Sequence, residues 1–201
     1  MIVFNDSSFF KTQHKLGECI NHELEQFKIH QSLRLKAYIA LRSEFLKLQS
    51  NSELSVEYLK VFSPKIAVFA GSFNPFHKGH YNVLQKAERI FDKVIIAFGQ
   101  NPEKEESRNK VPQSIKNRQL ENYNDLLTDF ISTLEHEVVV IRGLRNSTDF
   151  NYEQNQYRYI QELMPDIKIV NIFCDKEFEH ISSSGIRTLE KYNKHQNYLL
   201  D

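Results

Sequence analysis

The chain has 201 residues with 40% hydrophobic and 12% aromatic side chains, and 26 Lys and Arg balance 26 Asp and Glu to a formal net charge of zero. This composition excludes a disordered or collagen-like chain, and the missing basic excess argues against a general nucleic-acid binder. Cys19 and Cys174 form no CxxC pair, no apolar run approaches a membrane span, and Met1-Ile2-Val3-Phe4 turns polar at Asn5-Asp6, so a cytoplasmic protein with reduced thiols and no membrane partner is expected.

Residues 11 to 50 contain one glycine and no proline, and apolar residues recur at Leu16, Ile20, Leu24 and Phe27, then at Tyr38, Leu41, Phe45 and Leu48. Steps of three and four predict amphipathic helices whose stripe packs on the main domain or on a sister subunit. Ser50-Asn51-Ser52 breaks the pattern and Ser63-Pro64 closes a connector. We therefore divide the chain into a helical extension over 1–60 and a main domain over 61–201.

After residue 64 the rhythm changes. Lys65 to Ala70 predicts a buried strand followed by Gly71-Ser72, and helical periodicity runs from Gly79 to Phe91. Lys93 to Phe98 predicts a second strand, and a polar stretch follows from Gln100 to Lys116. Leu126 to Leu134 predicts a helix, Glu137 to Ile141 a strand, and Phe150 to Leu163 a long helix ended by Pro165. Ile167 to Phe173 predicts another strand and Ser183 to Tyr192 a closing helix. Strands alternating with helices imply a parallel α/β sheet.

Ligands bind beyond the carboxyl ends of the strands in open parallel sheets. The polar motifs all fall there: Gly71-Ser72-Phe73-Asn74, Gln100-Asn101-Pro102-Glu103-Lys104, Arg142-Gly143-Leu144-Arg145 and Ser182-Ser183-Ser184. Forked guanidinium donors on Arg142 and Arg145, with Lys104, suit phosphate oxygens. Helix starts at Gly79-His80 and Ser183-Ser184 offer free N–H groups to anions. Neither GxxxxGK[ST] nor GxGxxG occurs, which argues against a Walker loop or a dinucleotide fingerprint. His77 and His80 lack a nearby third ligand, so no protein-bound metal is expected.

Gly71 through His80, together with Ile181-Ser182-Ser183-Ser184-Gly185-Ile186-Arg187, resembles the nucleotidyltransferase superfamily with its (T/H)xGH and ISSTxIR motifs. The block Arg142-Gly143-Leu144-Arg145 to Asp149-Phe150-Asn151-Tyr152-Glu153, with Lys104 after Asn101-Pro102-Glu103, looks like bacterial phosphopantetheine adenylyltransferase. The resemblance covers roughly residues 65 to 190 and implies a Rossmann-like parallel five-stranded sheet with helices on both faces. It implies transfer of the adenylyl group of ATP, with Mg²⁺, to 4′-phosphopantetheine in a homo-oligomer that binds no nucleic acid.

Carried over, Ser72 and Phe73 touch both substrates and His80 stabilises the pentavalent α-phosphate, with Lys104 and Arg145 as its catalytic partners. Leu127 and Arg142 line the acceptor pocket with Ser72 and Lys104. His77, Gly143, Leu144, Arg145 and Glu153 hold the nucleotide. Phe178, Ile181, Ser182, Ser183 and Ser184 belong to the segment that covers ATP. The chain departs from the pattern at His77, where Thr is commoner, at Arg187, and in a shortened 104–126 segment, read as a helix trimmed to Ser114–Leu120. Nicotinate or nicotinamide mononucleotide as acceptor, and a regulator without turnover, are the alternative readings.

Overall fold

The computed structural model describes residues 65–100, 111–134 and 137–201, together with Asn21, Leu24 and Glu25. The chain divides into two units, Met1–Lys65 and Ile66–Asp201. In the first, Asn21, Leu24 and Glu25 are helical; the rest of the predicted extension and its boundary at residue 60 lie outside the described residues.

The second unit is built on one parallel sheet. Its strands are β1 (Ile66–Gly71), β2 (Lys93–Gly99), β3 (Leu120–Tyr123), β4 (Val138–Leu144) and β5 (Lys168–Phe173), in the order β3-β2-β1-β4-β5. Among the described residues, four helices accompany them: α1 (Lys78–Ala87), α2 (Leu127–Ser132), α3 (Ser147–Leu163) and α4 (Ser183–Glu190). The central strand β1 lies between β2 and β4 and reads as an unbroken apolar run. Strands covered on both faces need apolar side chains on both.

The pleat sorts those side chains into two layers. Ala67, Phe69, Val94, Ile96, Phe98 and Ile141 face α1, where they meet Val83, Leu84 and Ala87. Ile66, Val68, Ala70, Ile95, Ala97 and Val138 face the other way, against Leu127, Phe130 and Ile131 of α2. Helix α3 lies over β4 and β5 on the α2 side, where Phe150, Tyr157 and Ile160 border Ile169. Helices thus cover both faces, as expected. Because β2 and β4 flank β1 on opposite sides, the chain reverses its winding there, and the crevice beyond their ends is the natural ligand site.

One element differs from the sequence reading. Ser114–Leu120 is not a trimmed helix; a single 3-10 turn covers Gln113–Ile115, and Leu120–Tyr123 form β3. The segment Leu-Glu-Asn-Tyr carries neither β-branched residues nor a clean alternation, so it gives little local strand signal. Its pairing with β2, Ile96 opposite Leu120 through Gly99 opposite Tyr123, supplies what propensity lacks. A buried ion pair fixes the approach: Arg118 donates to Glu88, at the end of α1, at 2.5 and 3.0 Å, and to the Ser114 carbonyl at 2.6 Å.

Candidate active site

Helix α1 begins with two histidines that cap each other. The His77 N–H donates to Nδ1 of His80 at 3.3 Å, and the His80 N–H donates to Nδ1 of His77 at 3.4 Å. Their rings stack with centroids 3.6 Å apart. Gly79 between them permits this, since a Cβ there would lie 3.1 Å from Cε1 and 3.2 Å from Nδ1 of His77. A nitrogen that accepts a hydrogen bond carries no proton, so each neutral ring keeps its proton on Nε2. Burial, followed by the Arg145 charge, lowers the His77 pKa to about 4. Burial, then His77 and Arg145, holds His80 well below the ordinary histidine range. Both rings are therefore neutral hydrogen-bond donors at physiological pH.

Beneath them lies an aromatic bed. Phe73 adopts a positive φ of 42°, a strained conformation for a bulky side chain that persists only where its surroundings fix it. Its ring meets His80 at 4.9 Å, Phe69 at 4.9 Å, Phe76 at 5.1 Å and Phe98 at 5.4 Å between centroids. Phe73 thus props the His80 ring from below.

A cavity of about 520 Å³ opens over this helix start, lined by Ser72, His77, His80, Gly143, Leu144, Arg145, Tyr152, Glu153 and Ser182 to Ser184. A second, of about 660 Å³, lies over the ends of β2 and β3 and is lined by Ser72, Gln100, Tyr123, Leu126, Asp129, Arg142 and Tyr152.

Two arginines from the end of β4 grip the first turns of α3. Arg145 donates Nε and Nη2 to the Asp149 carboxylate, both at 2.8 Å, and its backbone N–H reaches the same group at 2.9 Å. Burial alone would raise the Asp149 carboxyl, but these donors outweigh it and bring it down. Arg142 donates Nε and Nη2 to Glu153 at 2.5 and 2.9 Å. Asn146 caps the helix through the Asp149 N–H at 3.1 Å.

Helix α4 presents the serine run. Ser182 caps it, accepting from the Gly185 N–H at 3.0 Å, while the Ser183 hydroxyl donates to the Pro75 carbonyl at 3.0 Å and Arg187 donates to the Asn74 carbonyl. These bonds tie α4 to the loop that enters α1, so the two helix starts share one cavity wall. Residues near the chain's end brace the same corner: Leu199 bridges to His77, and Lys78 Nζ donates to the Asn197 carbonyl at 2.7 Å. Cys174 also lines the cavity, and burial, with Glu179 next, pushes its thiol up. It is a protonated wall, not a nucleophile.

Most sequence-predicted residues converge here. Ser72, His77, His80, Gly143, Leu144, Arg145, Glu153 and the three serines line the first cavity, and Ser72 and Arg142 line the second. Phe73 lies under His80 instead, while Phe178 and the buried Ile181 anchor the serine segment to the protein. Leu127 is turned into the apolar layer under α2, and its neighbour Leu126 borders the second cavity. Lys104 lies outside the described residues. Sequence reasoning did not single out Tyr152 or Thr148 as site residues, nor Asp149 as the clamp on Arg145. The four-residue steps from Thr148 to Tyr152 and from Asp149 to Glu153 were the available signal, although the predicted helix began only at Phe150.

Among the described residues, no group of three His, Cys, Asp or Glu side chains could hold a metal ion, and no helix is long and apolar enough to cross a membrane. The cytidylyltransferase-like family model matches residues 68–189. The chain is 36% identical over 145 residues to the phosphopantetheine adenylyltransferase of Mycoplasma capricolum, covering 65% of this chain and 99% of that protein. It is 32% identical over 142 residues to that of Streptococcus pneumoniae, covering 66% and 87%. In fold it is similar to a putative nicotinate-nucleotide adenylyltransferase from Vibrio parahaemolyticus, with a TM-score of 0.51 at 18% identity, over 69% of this chain and 95% of that one.

Proposed function

The chain belongs to the phosphopantetheine adenylyltransferase family of cytidylyltransferase-like nucleotidyltransferases, and from that premise we propose how its residues divide the work. The protein transfers the adenylyl group of ATP to 4′-phosphopantetheine, giving dephospho-CoA and pyrophosphate. A phosphate oxygen of the acceptor attacks the α-phosphorus of ATP. The bridging oxygen between the α- and β-phosphates leaves in line with its electron pair, on pyrophosphate. An acceptor phosphate is already a competent nucleophile, so the site's task is alignment and charge neutralisation.

The residues support that task. ATP takes the first cavity, with its triphosphate along the starts of α1 and α4, where the positive ends of the helix dipoles favour anions. His80, neutral with its proton on Nε2, donates to the α-phosphate as charge builds there. Arg145, held by Asp149, neutralises the transferring group, and Glu153 and the Gly143-Leu144 backbone border the nucleoside. 4′-Phosphopantetheine takes the second cavity, beside Arg142 and Leu126, with Lys104 as a further cation for its phosphate. Mg²⁺ travels with ATP as the counter-ion of its phosphates. The protein works in the cytoplasm as a homo-oligomer, without nucleic acid.

The observation that carries this reading is the pair of cavities that share Ser72 and Tyr152 at the end of β1 and on α3. Purified protein given Mg·ATP and each acceptor in turn tests it. Pyrophosphate release is expected with 4′-phosphopantetheine. Release with nicotinate mononucleotide alone, or with neither, would overturn the acceptor assignment.

A further inference from the structure

We propose that Tyr152 is the shared wall of the two cavities and contacts the bound nucleotide and the bound acceptor at once, setting their angle of approach. This rests on the adenylyl-transfer reading above. Among the described residues, only Ser72 and Tyr152 line both cavities. A residue in that place meets both reactants where their new bond forms.

Three observations carry the assignment. Tyr152 keeps 62% of its surface exposed, so the fold does not use its ring for packing. Its backbone is nevertheless held firmly. Asp149, three residues before it, is clamped by Arg145, and Glu153, one residue after it, is clamped by Arg142. Both arginines come from the end of β4, and α3 buries none of its own side chains. The ion pairs therefore fix the first turns of α3 on the sheet and set Tyr152 between the two sites. An exposed aromatic ring on a fixed backbone loses its water only when ligands cover it, which makes it a contact of low entropic cost.

The test measures affinities separately. Titration calorimetry gives the dissociation constant of ATP without acceptor and that of 4′-phosphopantetheine without ATP, for wild type, Tyr152→Ala and Tyr152→Phe. Losing the ring weakens both ligands by about three- to ten-fold, the range of a single aromatic contact. Tyr152→Phe, which keeps the ring, stays within about two-fold of wild type for both. The melting temperature of Tyr152→Ala stays at the wild-type value, as the exposure requires. Unchanged affinities, a loss confined to one ligand, or an equal loss in Tyr152→Phe would each overturn the shared wall. Wild-type pyrophosphate release is followed alongside. Its absence contradicts the adenylyl-transfer reading, whereas the ratio of variant to wild-type affinity decides Tyr152.

Discussion

His77 and His80 cap each other: each backbone N–H is bound by the other's Nδ1, and the rings stack 3.6 Å apart. This arrangement fixes both tautomers and makes His80 a donor whose direction is set before any ligand arrives. A preorganised donor needs no rearrangement as charge develops, and removing one typically costs about 10²–10³ in rate. His80→Ala is expected to lose that factor in kcat while its ATP dissociation constant changes by less than about three-fold. Pre-steady-state pyrophosphate release and equilibrium titration measure the two effects separately. A kcat near wild type would remove His80 from the chemistry.

The same pair predicts a pH signature. His77 falls from 6.5 to about 4 in the folded protein, and His80 is lowered as well. Between those values the unfolded chain binds more protons than the folded one, so stability rises with pH through that window. The stabilisation is fully present above pH 6.5 and is lost as pH falls toward 4. Chemical denaturation at pH 7 and at pH 5 should show a lower midpoint at pH 5, and His77→Gln should flatten the difference. Neutral rings also mean that kcat shows no limb near pH 6.5. An acid limb there that disappears in His80→Gln would contradict the neutral donor.

Gly79 is the hinge of the stack. A methyl group at residue 79 would press on the His77 ring at 3.1 and 3.2 Å, closer than most carbon contacts. Gly79→Ala is expected to cost about ten-fold in kcat, since small misplacements of a positioned group carry such penalties. The melting temperature should fall by only a few degrees, because the ring can yield toward the cavity. Full activity in this variant would show that the stack is not required.

Arg142 is expected to separate the two substrates energetically. Its guanidinium is occupied by Glu153 at 2.5 and 2.9 Å and borders the second cavity, not the first. Arg142→Ala should therefore raise KM for 4′-phosphopantetheine by at least about ten-fold and that for ATP by less. Steady-state kinetics with each substrate varied in turn give the two ratios. Equal ratios would argue that Arg142 serves the helix and not the acceptor.

How much of this was legible in the sequence follows from which forces act locally. Ile66 to Ala70 and Lys93 to Phe98 announce buried parallel strands because both of their faces are covered and their runs are unbroken. The same logic places Ser72, Gln100 and Arg142 at strand ends, where they line the cavities, while Asn101 to Lys104 lie outside the described residues. Strand β3 was not legible, since Leu120–Tyr123 owe their conformation to pairing with β2 and carry no period of their own. Nor was the split between Leu126 and Leu127. Two adjacent leucines at a helix start look alike until the start angle turns Leu127 into the core and leaves Leu126 at the cavity. The clamps of Arg142 on Glu153 and Arg145 on Asp149 join a strand end to a helix face. A list of charged residues shows the partners but not the pairing.

The central claim is that acceptor phosphate and α-phosphorus meet directly, in line, with no covalent enzyme intermediate. The configuration at that phosphorus reports on it. One diastereomer of adenosine 5′-O-(1-thiotriphosphate), incubated with 4′-phosphopantetheine and the protein, should give a dephospho-CoA thio analogue with inverted configuration, read by phosphorus NMR. Retention would require two successive displacements through an adenylylated side chain, and would contradict the account.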